Sequence, residues 1–142
     1  MSVESGNVYN LINAKSNTAL DLSGTDGRTV SGYTENGGEN QKWRFEQGQG
    51  GHWTARNVAT GQYLGIDGSI KNGAPLIGVN DRVEWDIYPD EVDGGFHKLF
   101  VPGAQPATCM DLSDHGNANP GTKVTLWEAW EGKNQCWRFI HA

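Results

Sequence analysis

One pattern recurs three times along this chain, and any fold must accommodate it. The first copy, residues 7–46, contains Ala19-Leu20-Asp21-Leu22-Ser23, then Val30-Ser31-Gly32-Tyr33, then Asn40-Gln41-Lys42-Trp43-Arg44-Phe45. The third, residues 96–140, repeats these blocks in order as Cys109-Met110-Asp111-Leu112-Ser113, Val124-Thr125-Leu126-Trp127 and Asn134-Gln135-Cys136-Trp137-Arg138-Phe139. The middle copy, about residues 51–89, keeps the frame and loses the polar groups. Trp53-Thr54-Ala55-Arg56-Asn57 follows Tyr9-Asn10-Leu11-Ile12-Asn13 by 44 residues, and Tyr63-Leu64-Gly65-Ile66 follows Ala19-Leu20-Asp21-Leu22 by the same 44. Gly65 therefore stands where the other copies have Asp21 and Asp111. Val79 takes the aromatic position, and Val83-Glu84-Trp85-Asp86-Ile87 keeps only the tryptophan of the last block.

Apolar runs are short, and 20 glycines are spread among Asn, Asp and Ser. That composition suits short strands joined by tight turns. Each copy reads as about four strands, and the alternation in Gln-x-Trp-x-Phe puts Gln, Trp and Phe on one face. A unit of four strands is too small to bury its own apolar face. Three such units must pack around a common pseudo-threefold axis, giving an all-β chain of about twelve strands with few free sheet edges. A single domain over residues 1–142 is expected, with Trp43, Trp85 and Trp137 as equivalent core residues.

Bulk properties exclude several function classes. The formal charge is 11 − 17 = −6 and the pI near 5.1, which disfavours nucleic acid or an anionic membrane as partner. No apolar run reaches the length of a membrane span, so no membrane insertion is expected. The first ten residues carry no secretory signal, so a cytoplasmic location is expected, with release by a non-signal route as the alternative. Two cysteines, Cys109 and Cys136, make no disulfide framework and are expected to be reduced. The histidines His52, His97, His115 and His141 are scattered, fit no nucleophile or metal motif, and read as surface or loop residues. Asp111 to Thr122 resembles a calcium loop only faintly: its twelfth position is Thr122 rather than Glu. No metal and no cofactor are expected.

What the first and third copies retain is chemistry suited to a sugar. A carbohydrate ring offers a patch of C–H groups and a fringe of adjacent hydroxyls. An aromatic face covers the first, a carboxylate accepts from two neighbouring hydroxyls, and an amide supplies both donor and acceptor beside it.

The triple Gln-x-Trp frame resembles the ricin-B lectin family, a β-trefoil, and the acidic, cysteine-poor chain is most like its small mushroom members. The likeness covers nearly the whole sequence. It implies a non-enzymatic lectin for glycans ending in galactose or N-acetylgalactosamine, with a role in defence. It implies a sugar site made of Asp21, Tyr33, Asn40 and Gln41 in the first copy. A second is implied at Asp111, Trp127, Asn134 and Gln135 in the third, and none in the middle copy. The Gln of each site would support the Asp and the following loop. The resemblance also implies a homodimer, for which no particular residue speaks. Tyr33 follows Asp21 by 12 residues and Trp127 follows Asp111 by 16, so the two aromatics need not reach the ring alike. Trp130 is a rival to Trp127, which has the better alignment with Tyr33. Ricin-type members often carry a disulfide within a repeat; Cys109 sits at its first position, but Ala129 holds the partner's place.

Three other readings compete. A protein-binding trefoil, such as a protease inhibitor, would have no use for two retained Asp–aromatic–Asn sets. An accessory carbohydrate-binding domain of a larger enzyme is a third reading, against which a start at Met1 and an end just after the last repeat speak. A glycosidase needs two carboxylates flanking one bond, whereas Asp21 and Asp111 belong to different lobes.

Overall fold

A computed structural model describes residues 2–142. The first repeat forms β1 (Val8–Asn13), β2 (Ala19–Leu22), β3 (Val30–Tyr33) and β4 (Trp43–Gln47). The second forms β5 (Trp53–Asn57), β6 (Tyr63–Ile66), β7 (Leu76–Val79) and β8 (Asp86–Pro89). The third forms β9 (His97–Phe100), β10 (Thr108–Leu112), β11 (Thr122–Glu128) and β12 (Trp137–His141).

The outer strands of each repeat close a six-stranded antiparallel barrel in the order β1, β4, β5, β8, β9, β12 and back to β1. The β5–β8 seam is the narrowest, held by reciprocal backbone bonds of 2.8 and 2.7 Å between Trp53 and Trp85. The inner hairpins, β2–β3, β6–β7 and β10–β11, lean on one another in a cycle. Gly32 pairs with Thr122, Thr125 with Pro75, and Ile77 with Thr29. The result is the β-trefoil: a closed barrel with a triangular hairpin cap, which leaves little backbone unpaired.

The repeated tryptophans join these two layers. Trp43, Trp85 and Trp137 are wholly buried. The Trp43 indole donates to Leu20 O at 3.0 Å, and Trp85 to Leu64 O at 3.1 Å, so each anchors the cap hairpin of its own repeat to the barrel. At these two positions a buried indole N–H without a partner would be costly, which ties the ring to this place as firmly as its volume does. Trp137 Nε1, equally buried, has no hydrogen-bond partner among the described residues, and its ring is held by packing alone. At the opposite end Tyr9, Phe45 and Phe139 meet edge to face, with centroids 4.9–6.0 Å apart.

Two sequence expectations need correction here. His97 is not a surface or loop residue. It is buried at the start of β9, edge-on to Phe139 at 5.3 Å, and burial pushes its pKa below the ordinary histidine value. It lies 44 residues after Trp53 and 88 after Tyr9, so it fills the third copy of an aromatic core position. The Gln-x-Trp alternation also starts later than expected. Gln41 and Gln135 end short 3-10 turns, Glu39–Gln41 and Lys133–Gln135, and strand alternation begins at Trp43 and Trp137. Outside the ladder, each glutamine side chain is free to reach across to its own cap hairpin.

Cys109 and Cys136 are buried free thiols, and desolvation pushes them up to about 12 and about 11. Neither forms thiolate at neutral pH, so neither is poised for reaction.

Candidate functional site

The cap hairpins of the first and third repeats each carry an aspartate and an aromatic in the same register. In β2–β3, Asp21 faces Ser31 and Ala19 faces Tyr33; in β10–β11, Asp111 faces Thr125 and Cys109 faces Trp127. Paired residues share a face, so Tyr33 and Trp127 occupy equivalent places two positions along from their carboxylates. The spacings of 12 and 16 differ only in the hairpin loops, because Leu22–Val30 and Leu112–Val124 close both ladders alike. The four extra residues of the third repeat are absorbed in a turn where Asp114, His115 and Gly116 are all left-handed (φ 53°, 54° and 79°).

Each glutamine makes the same three bonds. Gln41 Nε2 donates to Asp21 Oδ2 (2.9 Å) and to Thr34 O (2.9 Å), and its Oε1 accepts the Asn36 N–H (3.1 Å). Gln135 Nε2 donates to Asp111 Oδ2 (2.9 Å) and to Glu128 O (3.0 Å), and its Oε1 accepts the Trp130 N–H (3.0 Å). The amide thus fixes one carboxylate oxygen and the loop after the aromatic together. Asn40 and Asn134 sit beside the carboxylates: Asn40 Nδ2 donates to Asp21 Oδ2 and Leu22 O (both 3.1 Å), and Asn134 Nδ2 to Leu112 O (3.1 Å). Among the described residues, both carboxylates keep Oδ1 free of hydrogen bonds from the protein.

Both aspartates are only 5% exposed. Desolvation raises their pKa above the ordinary carboxylate value, partly offset by Gln41 and Asn40 at Asp21. At Asp111 the offset comes from Gln135, then Asn134, the His115 charge and the Trp130 side chain. Beside them the aromatics project outward, Tyr33 42% and Trp127 46% exposed. Each set lines its own shallow hollow of about 520 Å3. Asp21 and Asp111 open into separate hollows; the exposed Asp26 also lines the first, and Asp114 and Glu128 line the third.

Trp130 takes the place of Asn36, not of Tyr33. Its ring folds back over Gly132, where any Cβ would collide with the indole. It forms a side wall of the third hollow, while Trp127 stands at the aromatic position.

The hairpin of the second repeat is packed differently. At Gly65 a Cβ would lie 2.5 Å from a Val79 methyl carbon. The valine at the aromatic position leans into the space where the other repeats hold a carboxylate.

Several lining residues escaped the sequence reading. Ser31 and Thr125 lie opposite the carboxylates, and their signal was the hairpin register itself. His115 lines only the third hollow, and Asp26 only the first. Asp26 serves the loop: it accepts from Arg28 N–H, Thr29 N–H and Thr29 Oγ1, which hold it at about 2. Gly121 of the third repeat lines the first-repeat hollow, and Gly73 of the second lines the third. These come from the neighbouring lobe, so comparison of repeat with repeat gives no sign of them.

The family model for ricin-type beta-trefoil lectin domain-like proteins matches residues 2–79 and 39–127, and the chain belongs to that family. The structure is similar to a ricin B-like lectin of Macrolepiota procera solved in complex with lactose, at 40% identity, TM-score 0.95 and full coverage of both chains. The Rhizoctonia solani agglutinin aligns at 29% identity and TM-score 0.89, covering 100% of this chain and 99% of that one. ThreeFoil, a designed threefold-symmetric protein, aligns at 26% identity and TM-score 0.83, covering 95% of this chain and 99% of that one. A comparison with curated protein sequences gave no significant match.

Proposed function

We propose that this chain is a non-enzymatic lectin that binds glycans ending in galactose or N-acetylgalactosamine at the first- and third-repeat hollows. One observation carries the reading. Twice over, a buried aspartate is held through Oδ2 by a glutamine, keeps Oδ1 free, and lies beside an exposed aromatic in the same register. Asp21 and Asp111 accept from neighbouring sugar hydroxyls, Tyr33 and Trp127 stack on the C–H face, and Asn40 and Asn134 complete the polar edge. Gln41 and Gln135 position the carboxylates. The preference for galactose-type sugars rests on family membership and on the lactose complex of the M. procera lectin.

Open, wet hollows of this kind bind one sugar weakly, on the order of millimolar or about −4 kcal/mol. Two of them on one rigid body raise avidity for a surface dense in glycans. The test is a glycan array probed with labelled protein, with lactose as competitor. Signal on galactose- or N-acetylgalactosamine-terminated glycans that lactose abolishes is the expected result. Signal on another sugar class overturns the galactose preference, and no signal from folded protein favours a protein-binding trefoil.

Within a site the aromatic carries a separable share. Trp127→Ala is expected to weaken third-site binding about tenfold, roughly 1.4 kcal/mol, and to leave the melting temperature nearly unchanged because the ring is half exposed. Tyr33→Ala does the same for the first site. NMR titration with methyl galactoside reads the two sites separately.

A further inference from the structure

The loop between β6 and β7 crosses from the second repeat to the third and is stitched to β11. Gly73 N–H donates to Leu126 O (2.8 Å), Leu126 N–H to Ala74 O (2.9 Å), and Glu128 N–H to Asn72 Oδ1 (2.8 Å). Gly73 thereby walls the Asp111 hollow, while Ile70 and Asn72 wall a second hollow of about 340 Å3 closed on its far side by Gln105 and Pro106. Glu128 lines both. The two hollows are neighbours, on either side of the Asn72–Glu128 bridge.

We propose that this second hollow is a subsite for the next sugar along a neutral glycan, the residue linked to the one held at Asp111. The proposal rests on the lectin reading above. The chemistry of the walls matches a ring with both apolar and hydroxyl surfaces. Ile70 is 53% exposed, an apolar side chain that burial in the core does not explain, and Pro106 offers a second apolar face. Asn72 is fixed through Oδ1, and among the described residues its Nδ2 makes no hydrogen bond, which leaves a donor. The Glu128 carboxylate supplies an acceptor. That carboxylate, on a chain of net charge −6, disfavours a sialylated or sulfated residue here.

The first-repeat site has no counterpart, which gives the proposal an internal control. Gly121 N–H donates to Gly32 O (2.9 Å) as Gly73 does to Leu126 O. The matching positions therefore put Pro120 in place of Asn72 and Thr34 in place of Glu128. Neither the amide donor nor the carboxylate is present beside Tyr33. The third site is thus the one that reads a disaccharide, and the first reads the terminal sugar alone.

Two single-site proteins test this, Asp21→Asn with only the third site and Asp111→Asn with only the first. Each is titrated with methyl β-galactoside and with lactose, whose second sugar is neutral. The expected result is a lactose advantage of about fivefold in Asp21→Asn and none in Asp111→Asn. Adding Asn72→Asp, which keeps the Oδ1 acceptor and removes the donor, or Ile70→Ser, removes that advantage and leaves methyl β-galactoside affinity unchanged. A lactose advantage that is absent, or that survives both substitutions, overturns the subsite while methyl β-galactoside binding upholds the lectin reading. Failure of the wild-type protein to bind methyl β-galactoside overturns the galactose preference, and the subsite with it.

Discussion

The double variant Asp21→Asn/Asp111→Asn is expected to lose all measurable sugar binding and yet melt no lower than the wild-type protein at neutral pH. Both halves follow from the same burial. Asparagine keeps a carbonyl oxygen to accept from Gln41 or Gln135, so the internal bond survives. Its other atom becomes a donor, and the free acceptor that faced the sugar is gone. Hydrogen bonds to a charged acceptor contribute about 1.5–3 kcal/mol each, against a total near −4 kcal/mol for a millimolar ligand. Losing one such partner therefore removes most of the affinity of a site. The stability effect has the opposite sign. Desolvation raises both carboxylates above their unfolded value. The folded state then holds protons more tightly than the unfolded chain. The associated stability is fully present below the unfolded carboxylate pKa and is lost as pH rises through the folded one. At neutral pH each ionised aspartate is a net liability to the fold, which the proposed binding role explains. Melting curves of wild type and double variant should converge on acidification. Over the same range, above that of an ordinary aspartate, wild-type sugar binding should fade as the acceptors protonate. A double variant that melts well below wild type at neutral pH would show that the carboxylates stabilise the fold.

The threefold frame was legible because core positions recur at fixed offsets. The offset of 44 residues that aligned Tyr9 with Trp53 also reaches His97, yet residue type suggested a surface histidine. The frame was the better guide, since an imidazole edge packs against Phe139 as an aromatic would. The equivalence of Asp21 with Asp111 and of Tyr33 with Trp127 was legible for the same reason. The unequal spacings of 12 and 16 were not, because sequence alone cannot say whether extra residues lengthen a strand or a loop. Backbone pairing answers this by holding both hairpins in register up to Leu22–Val30 and Leu112–Val124. Contributions from the adjacent lobe, Gly73, Gly121 and Asn72, had no sequence signal at all. They depend on how the three hairpins lean on one another.

The second repeat shows what such a site loses when its carboxylate goes. Without Asp, no buried charge needs a glutamine, and Arg82 to Trp85 carry none. With Val79 leaning into the place of the carboxylate, the hairpin packs as plain apolar structure. The tryptophan persists there, because Trp85 still ties cap to barrel through Leu64 O. The fold thus keeps the tryptophan of every repeat, while the glutamine is kept only beside a carboxylate.

That dependence makes Gln135 the place for the second large effect. Gln135 is wholly buried, and its amide serves Asp111 Oδ2, Glu128 O and the Trp130 N–H at once. Gln135→Leu keeps the bulk and strips all three partners. At about 1–3 kcal/mol for each group left unsatisfied, with partial rescue by water at the open side, a loss of roughly 3–4 kcal/mol is expected. For a domain of this size that lowers the melting temperature by about 10 °C. Third-site binding should go with it, while the first site, built on Gln41, still binds. Gln135→Glu separates the charge from the shape. It sets a second carboxylate where an amide donor lay 2.9 Å from Asp111 Oδ2, and two carboxylates that close must share a proton. The pair's pKa in the folded state then rises above its unfolded value, so this variant is most nearly wild type in acid and loses stability as pH rises. Melts over a pH series rising from the ordinary carboxylate range should show the gap to wild type widening with pH for Gln135→Glu. For Gln135→Leu, which adds no charge beside Asp111, the gap should widen much less. Removing the aspartate as well discriminates further: Asp111→Asn/Gln135→Leu should cost less than the sum of its parts, because the amide's main partner is no longer a buried charge. Additive costs would mean that Gln135 holds the loop but not the carboxylate, and that the positioning of Asp111 comes from Asn134 instead.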